Sequence, residues 1–331
     1  MKIRGYITCK KAEYYSDCAD YFKVNTETKR IAVSDGVSQS IMPAEWAQIL
    51  VNSYVDEDWD PQKDIKPLQK KWQDKAKEFL NRQKAEGINN WILEDSLQAK
   101  DGAGATFCGI SFKGNKWEAS ILGDTCLVKI DDNHIVEIIG SKDGSINYCP
   151  DYFDSFKEKR GEVKEITGEL QRNNVLLLVS DPFSELFQKI KGTEKEQSIL
   201  KDILSLRSSD GYEEFVDKMR DIYQMHNDDS TLVIVEHSAS KEFAITDQKT
   251  LEDLINKEDN YREGPNINKK AIRKAALSLF DEFYEELFRK AFRIKPLNRL
   301  FRRRDKRKNK VYSIFVNFVN KLVELIDKDN V

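Results

Sequence analysis

Five aspartates stand beside apolar runs at widely separated points of the chain. They are Asp20 in SDCADYF, Asp35 before Gly36 in IAVSDGVSQS, Asp124 in ILGDTCLVKI, Asp181 in VLLLVSDPFSELF and Asp228 in MHNDDSTLVIV. An aspartate at the end of an apolar strand sits where a rigid scaffold meets solvent. Hard cations such as Mg²⁺ and Mn²⁺ prefer carboxylate, carbonyl and water oxygens. Carboxylates gathered from distant strands are what a two-metal hydrolytic site requires. Each aspartate taken singly has an ordinary alternative as a turn former or helix cap. The three histidines (His134, His226, His237) and five cysteines (Cys9, Cys18, Cys108, Cys126, Cys149) show no metal-type spacing, so the chemistry on offer is that of oxygen ligands.

The elements that must position these groups follow from periodicity. Residues 2–9 and 30–35 alternate like short strands, and residues 43–55 read as a helix opened by Pro43. A second, highly charged helical pattern runs from about Leu68 to Lys84, and the glycines of residues 101–106 interrupt it. The stretch from Thr106 to Ile139 reads as an antiparallel meander with turns at residues 113–115 and 131–133. VLLLVS at 175–180 is a continuous apolar run suited to a strand buried on both faces, helical patterns fill Phe183 to about Gln224, and TLVIVE at 231–236 supplies another strand. Strand texture stops near His237. Helical periodicity follows over 249–257, 268–292 and 311–327, which places a boundary near residue 240.

In order and context, six segments resemble the PP2C-type metal-dependent serine/threonine protein phosphatases, in a divergent, bacterial-like form. They are CADY (18–21), VSDG (33–36), GAGAT (102–106), LGDTC (122–126), LLLVSDPFSE (176–185) and NDDSTLVIV (227–235), and together they span roughly residues 1–237. The resemblance implies an α+β fold: an α-β-β-α sandwich of two antiparallel sheets flanked by helices over residues 1–240, with a helical, basic extension over 241–331. It implies two divalent cations, Mg²⁺ or Mn²⁺, and a weaker third position. Asp35 would bridge the pair, with the Gly36 carbonyl as a further ligand. Asp181 and Asp228 would complete one ion, and Asp20 would orient the attacking water. Asp124, with Asp181 and with or without Glu185, matches the third position, and Asp229 is a secondary candidate. The implied reaction is direct hydrolysis of phosphoserine or phosphothreonine without a phosphoenzyme. Its substrate would be a phosphorylated protein, a kinase or a kinase target.

Departures from the pattern mark a second reading. Ala19 replaces an acid of the first motif, Pro182 replaces the glycine after Asp181, and Val37 follows Gly36 where some members carry histidine. No arginine precedes the first motif; Lys10 or Lys11 are the candidates for gripping phosphate, as point charges without an arginine fork. His226 lies near the last motif. The alternative is therefore a catalytically weak or inactive signalling module of the same fold, with the tail as docking element.

Bulk properties agree with either reading. The 331 residues are 40% hydrophobic and 34% charged, enough for a large core and an ionised surface. No apolar run is long enough for a membrane span or a signal core, and the scattered cysteines read as free thiols of a reducing cytosol. From Arg289 to Lys310 the chain carries twelve Lys and Arg and one acid, Asp305, so an acidic body bears a basic tail. That tail suggests a solvated face docked on the body, or a protein partner, ahead of nucleic acid or an anionic membrane.

Overall fold

A computed structural model describes residues 1–38, 40–88, 90–140, 151–239 and 242–261. The helical patterns expected at 268–292 and 311–327, the basic stretch and Cys149 lie outside the described residues.

The chain opens with β1 (Lys2–Thr8), β2 (Asp20–Asn25) and β3 (Arg30–Asp35). Helices α1 (Pro43–Asp56), α2 (Lys66–Ala85) and α3 (Trp91–Ala99) follow, then β4 (Gly104–Ala105), β5 (Phe107–Lys113), β6 (Lys116–Leu122), β7 (Cys126–Asp131) and β8 (His134–Ile139). After β9 (Phe153–Asp154), β10 (Lys164–Glu169) and β11 (Asn174–Val179) come α4 (Asp181–Ile190), α5 (Lys195–Ser205) and α6 (Ser209–Tyr223). The last described elements are β12 (Ser230–Glu236), β13 (Ala244–Gln248) and α7 (Leu251–Tyr261). Residues Met1–Glu258 form one compact unit.

The strands form a six-stranded sheet, β13-β1-β12-β11-β7-β8, and a five-stranded sheet, β10-β6-β5-β3-β2. Their inner faces share one core: Ile3, Ile7, Leu176, Leu178, Val233 and Val235 of the first sheet meet Phe22, Ile31, Val33, Cys108 and Ile110 of the second. The outward residues of the same strands make two further cores. Tyr6, Leu177, Val179, Leu232 and Ile234 pack under α4, α5 and α6. Ala32 and Phe107 pack under Trp46, Leu50 and Tyr54 of α1 and Trp72 of α2. Helix, sheet, sheet and helix are thus stacked as the α-β-β-α sandwich. The period-2 alternation of side chains explains why VLLLV and TLVIV are apolar throughout: each strand feeds two cores.

Two expectations need correction. Strand pairing does not stop at His237, because β13 adds to the edge of the first sheet, parallel to β1. Its sequence AITDQ is half exposed and carries polar residues, so no alternation betrays it. The meander read from Thr106 to Ile139 is real in sequence order but divided in space. β5 and β6 belong to one sheet, β7 and β8 to the other, and the chain crosses between them at residues 123–125. Several elements carried no clear signal, among them β2, β10 and the short α3, which buries only Leu93. Among the described residues no helix is long and apolar enough to cross a membrane, and Cys9, Cys18, Cys108 and Cys126 are free and buried.

Helix α1 anchors one face of the sandwich. Trp46 is fully buried and its indole Nε1 donates to the Phe153 carbonyl at 2.7 Å. Truncation leaves a large cavity and an unmet carbonyl, so Trp46→Ala should lower unfolding stability by about 3–5 kcal/mol, read as a fall in the urea midpoint.

Candidate metal centre

Sheet register brings the five aspartate segments to one end of the sandwich. Asp20 at the start of β2 lies directly opposite Asp35 at the end of β3. Val179 at the end of β11 faces both Cys126 at the start of β7 and Leu232 near the start of β12. Thr8 at the end of β1 faces Ser230. Asp181 therefore leaves β11, Asp124 enters β7, and Asp228 enters β12 at the same end, where β1 also delivers Lys10.

Local backbone chemistry fixes each group. The carbonyl of Asp35 accepts the Thr106 amide at 2.8 Å, the Gly36 amide donates to the Ala19 carbonyl at 3.2 Å, and the Val37 amide donates to the Gly104 carbonyl at 2.9 Å. The glycine-containing segment 102–106 thus braces the Asp35–Gly36 corner. A Cβ on Gly36 would fall 2.7 Å from Pro43 Cβ, so this glycine is required by the close approach of the α1 N-terminus. Gly123 has φ +99, the left-handed region, and an added Cβ would meet Thr106 and the Asp151 carbonyl at 2.6 Å; only glycine turns the chain there toward Asp124. Asp181 opens α4 after the N-cap Ser180, which puts Pro182 in the first helical turn. The amide that proline lacks would have had no partner within the helix, so Pro182 leaves Asp181 in place.

The carboxylates share one field. Burial raises the Asp20 carboxyl from 3.8 to about 7, with repulsion from Asp229 and Asp228 added. Burial likewise raises Asp124 to about 6, with Glu185 and Asp228 contributing. Asp35 and Asp181 are pushed well above the usual carboxylate range, first by desolvation and then by their acidic neighbours: Asp20, Asp181, Asp124 and Asp228 for the former, Asp228, Asp124, Asp20 and Glu185 for the latter. Asp20 Oδ2 accepts the Thr231 hydroxyl at 2.7 Å. One oxygen each of Asp20, Asp124 and Asp181 is buried without a hydrogen-bond partner. Buried acceptors left unmet cost free energy unless a donor or cation supplies the missing interaction.

The oxygen-only donor set and its unmet atoms fit a hard divalent cation. Among the described residues, no three His, Cys, Asp or Glu side chains are already drawn together as a ligand group. Glu185 sits one turn beyond Asp181, 3.6 Å from Lys189 Nζ. His226 is more than half exposed, with Nδ1 3.7 Å from Asp228 Oδ2.

The two lysine candidates separate. Lys10 Nζ lies 3.0 Å from Asp228 Oδ1. Lys11 Nζ is held by Asp221 at 2.9 Å and Asp217 at 3.4 Å on α6. Asp229, a secondary candidate from sequence, serves as a backbone clamp: Oδ1 accepts the Lys10 amide at 3.0 Å and Oδ2 the Ala19 amide at 2.8 Å. Ala19 thus keeps a structural contact through its amide. Arg220 carries no signal in the sequence. Its Nη2 donates to the Asp228 carbonyl at 2.7 Å and the Cys9 carbonyl at 3.2 Å, tying two loops of the site together from α6.

The raised carboxyl values set a sign. A group whose folded-state pKa exceeds its unfolded value favours the folded state while protonated, and that contribution is lost as pH rises through the folded value. Metal-free protein should therefore lose stability from Asp20 as pH rises from 3.8, the unfolded carboxyl value, to about 7, and from Asp124 as it rises from 3.8 to about 6. Urea denaturation in chelator across this range should show that loss, and Asp20→Asn should flatten it.

No protein-family model matches the chain, and no curated protein matches it. Solved structures do. The photosystem II phosphatase PBCP is 14% identical, with 72% of this chain and 99% of that chain covered and a TM-score of 0.45. The catalytic domain of the serine/threonine protein phosphatase PstP, solved with two manganese ions, is 15% identical over 70% of this chain and 96% of that chain, with a TM-score of 0.42. The PstP/Ppp phosphatase of Mycobacterium tuberculosis is 17% identical over 71% of this chain and 99% of that chain, again at 0.42. The sandwich and its acidic end stand on the strands, cores and carboxylates described above.

Proposed function

We propose that the chain is a metal-dependent protein phosphatase that hydrolyses phosphoserine and phosphothreonine. The observation that carries this reading is the set of unmet carboxylate oxygens on Asp20, Asp124 and Asp181 in the field of Asp35 and Asp228. The order of the six motif segments supports it. Two divalent cations, Mg²⁺ or Mn²⁺, would supply charge neutralisation at phosphate and an acidified water. Asp35, the Gly36 carbonyl, Asp181 and Asp228 would hold these ions. Asp124, with Glu185 near it, is assigned to a weaker third position. Asp20 orients the attacking water through its unpaired oxygen and is held in aim by the Thr231 hydroxyl. The water oxygen bonds to phosphorus as the phosphorus–seryl oxygen bond breaks; the water gives up one proton and the departing oxygen takes one, so the products are the seryl hydroxyl and hydrogen phosphate. Lys10 is the cation nearest this chemistry, and Lys11 is occupied by Asp217 and Asp221. The substrate class is a phosphorylated protein, a kinase or kinase target.

One observation favours a second reading, a binding module of the same fold: among the described residues the acids do not form a ready ligand group. A single assay decides between them. With Mn²⁺, the full chain should turn over para-nitrophenyl phosphate and a phosphothreonine peptide, and EDTA should abolish it. Asp35→Asn should lower kcat by about two to three orders of magnitude, the rate equivalent of several kcal/mol of lost ion stabilisation. Turnover indifferent to chelator and mutation sinks the phosphatase reading; no turnover on either substrate, whether or not Mn²⁺ binds, selects the module.

A further inference from the structure

The acids of the centre are not in one condition. Asp20, Asp124 and Asp181 each keep a buried oxygen without a partner, and Asp228 does not. Asp228 Oδ1 holds Lys10 Nζ at 3.0 Å and the Asp229 amide at 2.9 Å. Its Oδ2 stands 3.7 Å from His226 Nδ1. This ammonium is a built contact rather than a passing one. The Lys10 side chain is only 18% exposed, its Nζ also donates to Ser38 Oγ at 3.2 Å, and its backbone amide is clamped by Asp229 Oδ1 at 3.0 Å. Arg220 ties the Cys9 carbonyl, one residue before Lys10, to the Asp228 carbonyl, so both partners of the pair are held from behind.

We propose that Lys10 is an internal counter-ion standing at Asp228 in place of a divalent cation, and that the two exchange there as the site loads. This inference rests on the metal reading above and concerns this chain's own residues. Two cations on one partly buried carboxylate repel each other, and the repulsion is strong where water is scarce. Lysine suits an exchange because its charge is compact and its four-carbon stem swings without backbone movement. Ser38 is an acceptor already in reach for the displaced ammonium. The arrangement separates the carboxylates into two groups. Those with unmet oxygens are open to an ion at once, whereas Asp228 accepts one only when Lys10 leaves. Binding of the ion that needs Asp228 is weakened accordingly, and the metal-free fold is protected from one more unneutralised acid.

The test is Mn²⁺ binding to the full chain, followed by calorimetry and by the bound-ion paramagnetic signal, for the unaltered protein, Lys10→Met and Lys10→Gln. The second substitution serves should the first fail to fold. The expected result is Mn²⁺ binding about tenfold tighter in either variant, the size of an ordinary coupling between two ligands. Melting temperature in EDTA should fall in the variants, and the rise on adding Mn²⁺ should exceed that of the unaltered protein. Equal or weaker Mn²⁺ binding in the variants, with binding intact in the unaltered protein, overturns the exchange and leaves the metal reading standing. Absence of Mn²⁺ binding in all three proteins overturns both.

Discussion

Mutual repulsion among buried carboxylates is the constraint on which the architecture turns. Burial first, and then the charge of acidic neighbours, Asp228 among them, raise the proton affinity of Asp20, Asp35, Asp124 and Asp181, which reach this end from separate segments. A flexible scaffold would let such groups swing apart into water. Here each is fastened by the backbone that carries it: strand pairing for Asp20 and Asp35, a glycine-only turn for Asp124, a helix start for Asp181. Three large cores hold those fastenings in register. The free energy of the sandwich keeps the acids together.

Many of the strands and helices were legible because they obey simple rules, whereas the sandwich that stacks them was implied by the resemblance alone. Runs such as VLLLV and TLVIV announce burial on both faces, and Pro43 announces α1. The aspartates were legible by their place at strand ends. What escaped had tertiary causes. Arg220 acts through a long side chain that reaches two loops, and nothing local to α6 marks it. β13 is a half-exposed edge strand without alternation, so its pairing to β1 is decided by the partner and not by its own residues. The crossing between sheets at Gly123 resembles any hairpin turn in sequence, although in space it changes the layer.

Departures from the family pattern also gain physical sense. Pro182 falls where a helix has no use for an amide donor. Ala19 contributes its amide to Asp229 and its carbonyl to Gly36, a role indifferent to the lost acidic side chain. Gly36 answers first to the bulk of Pro43, so its presence does not require an ion to explain it. The replacements are compatible with the frame.

The pairing of β1 with β12 bears on when this protein becomes competent. Thr8 lies opposite Ser230, and the bond from Thr231 to Asp20 spans 211 residues. On the ribosome the first strand emerges long before its neighbour exists, and no partial chain can close the acidic end. Contacts of such sequence separation also slow folding. Truncated or prematurely released products would thus carry the acidic segments and lack the assembled acidic end.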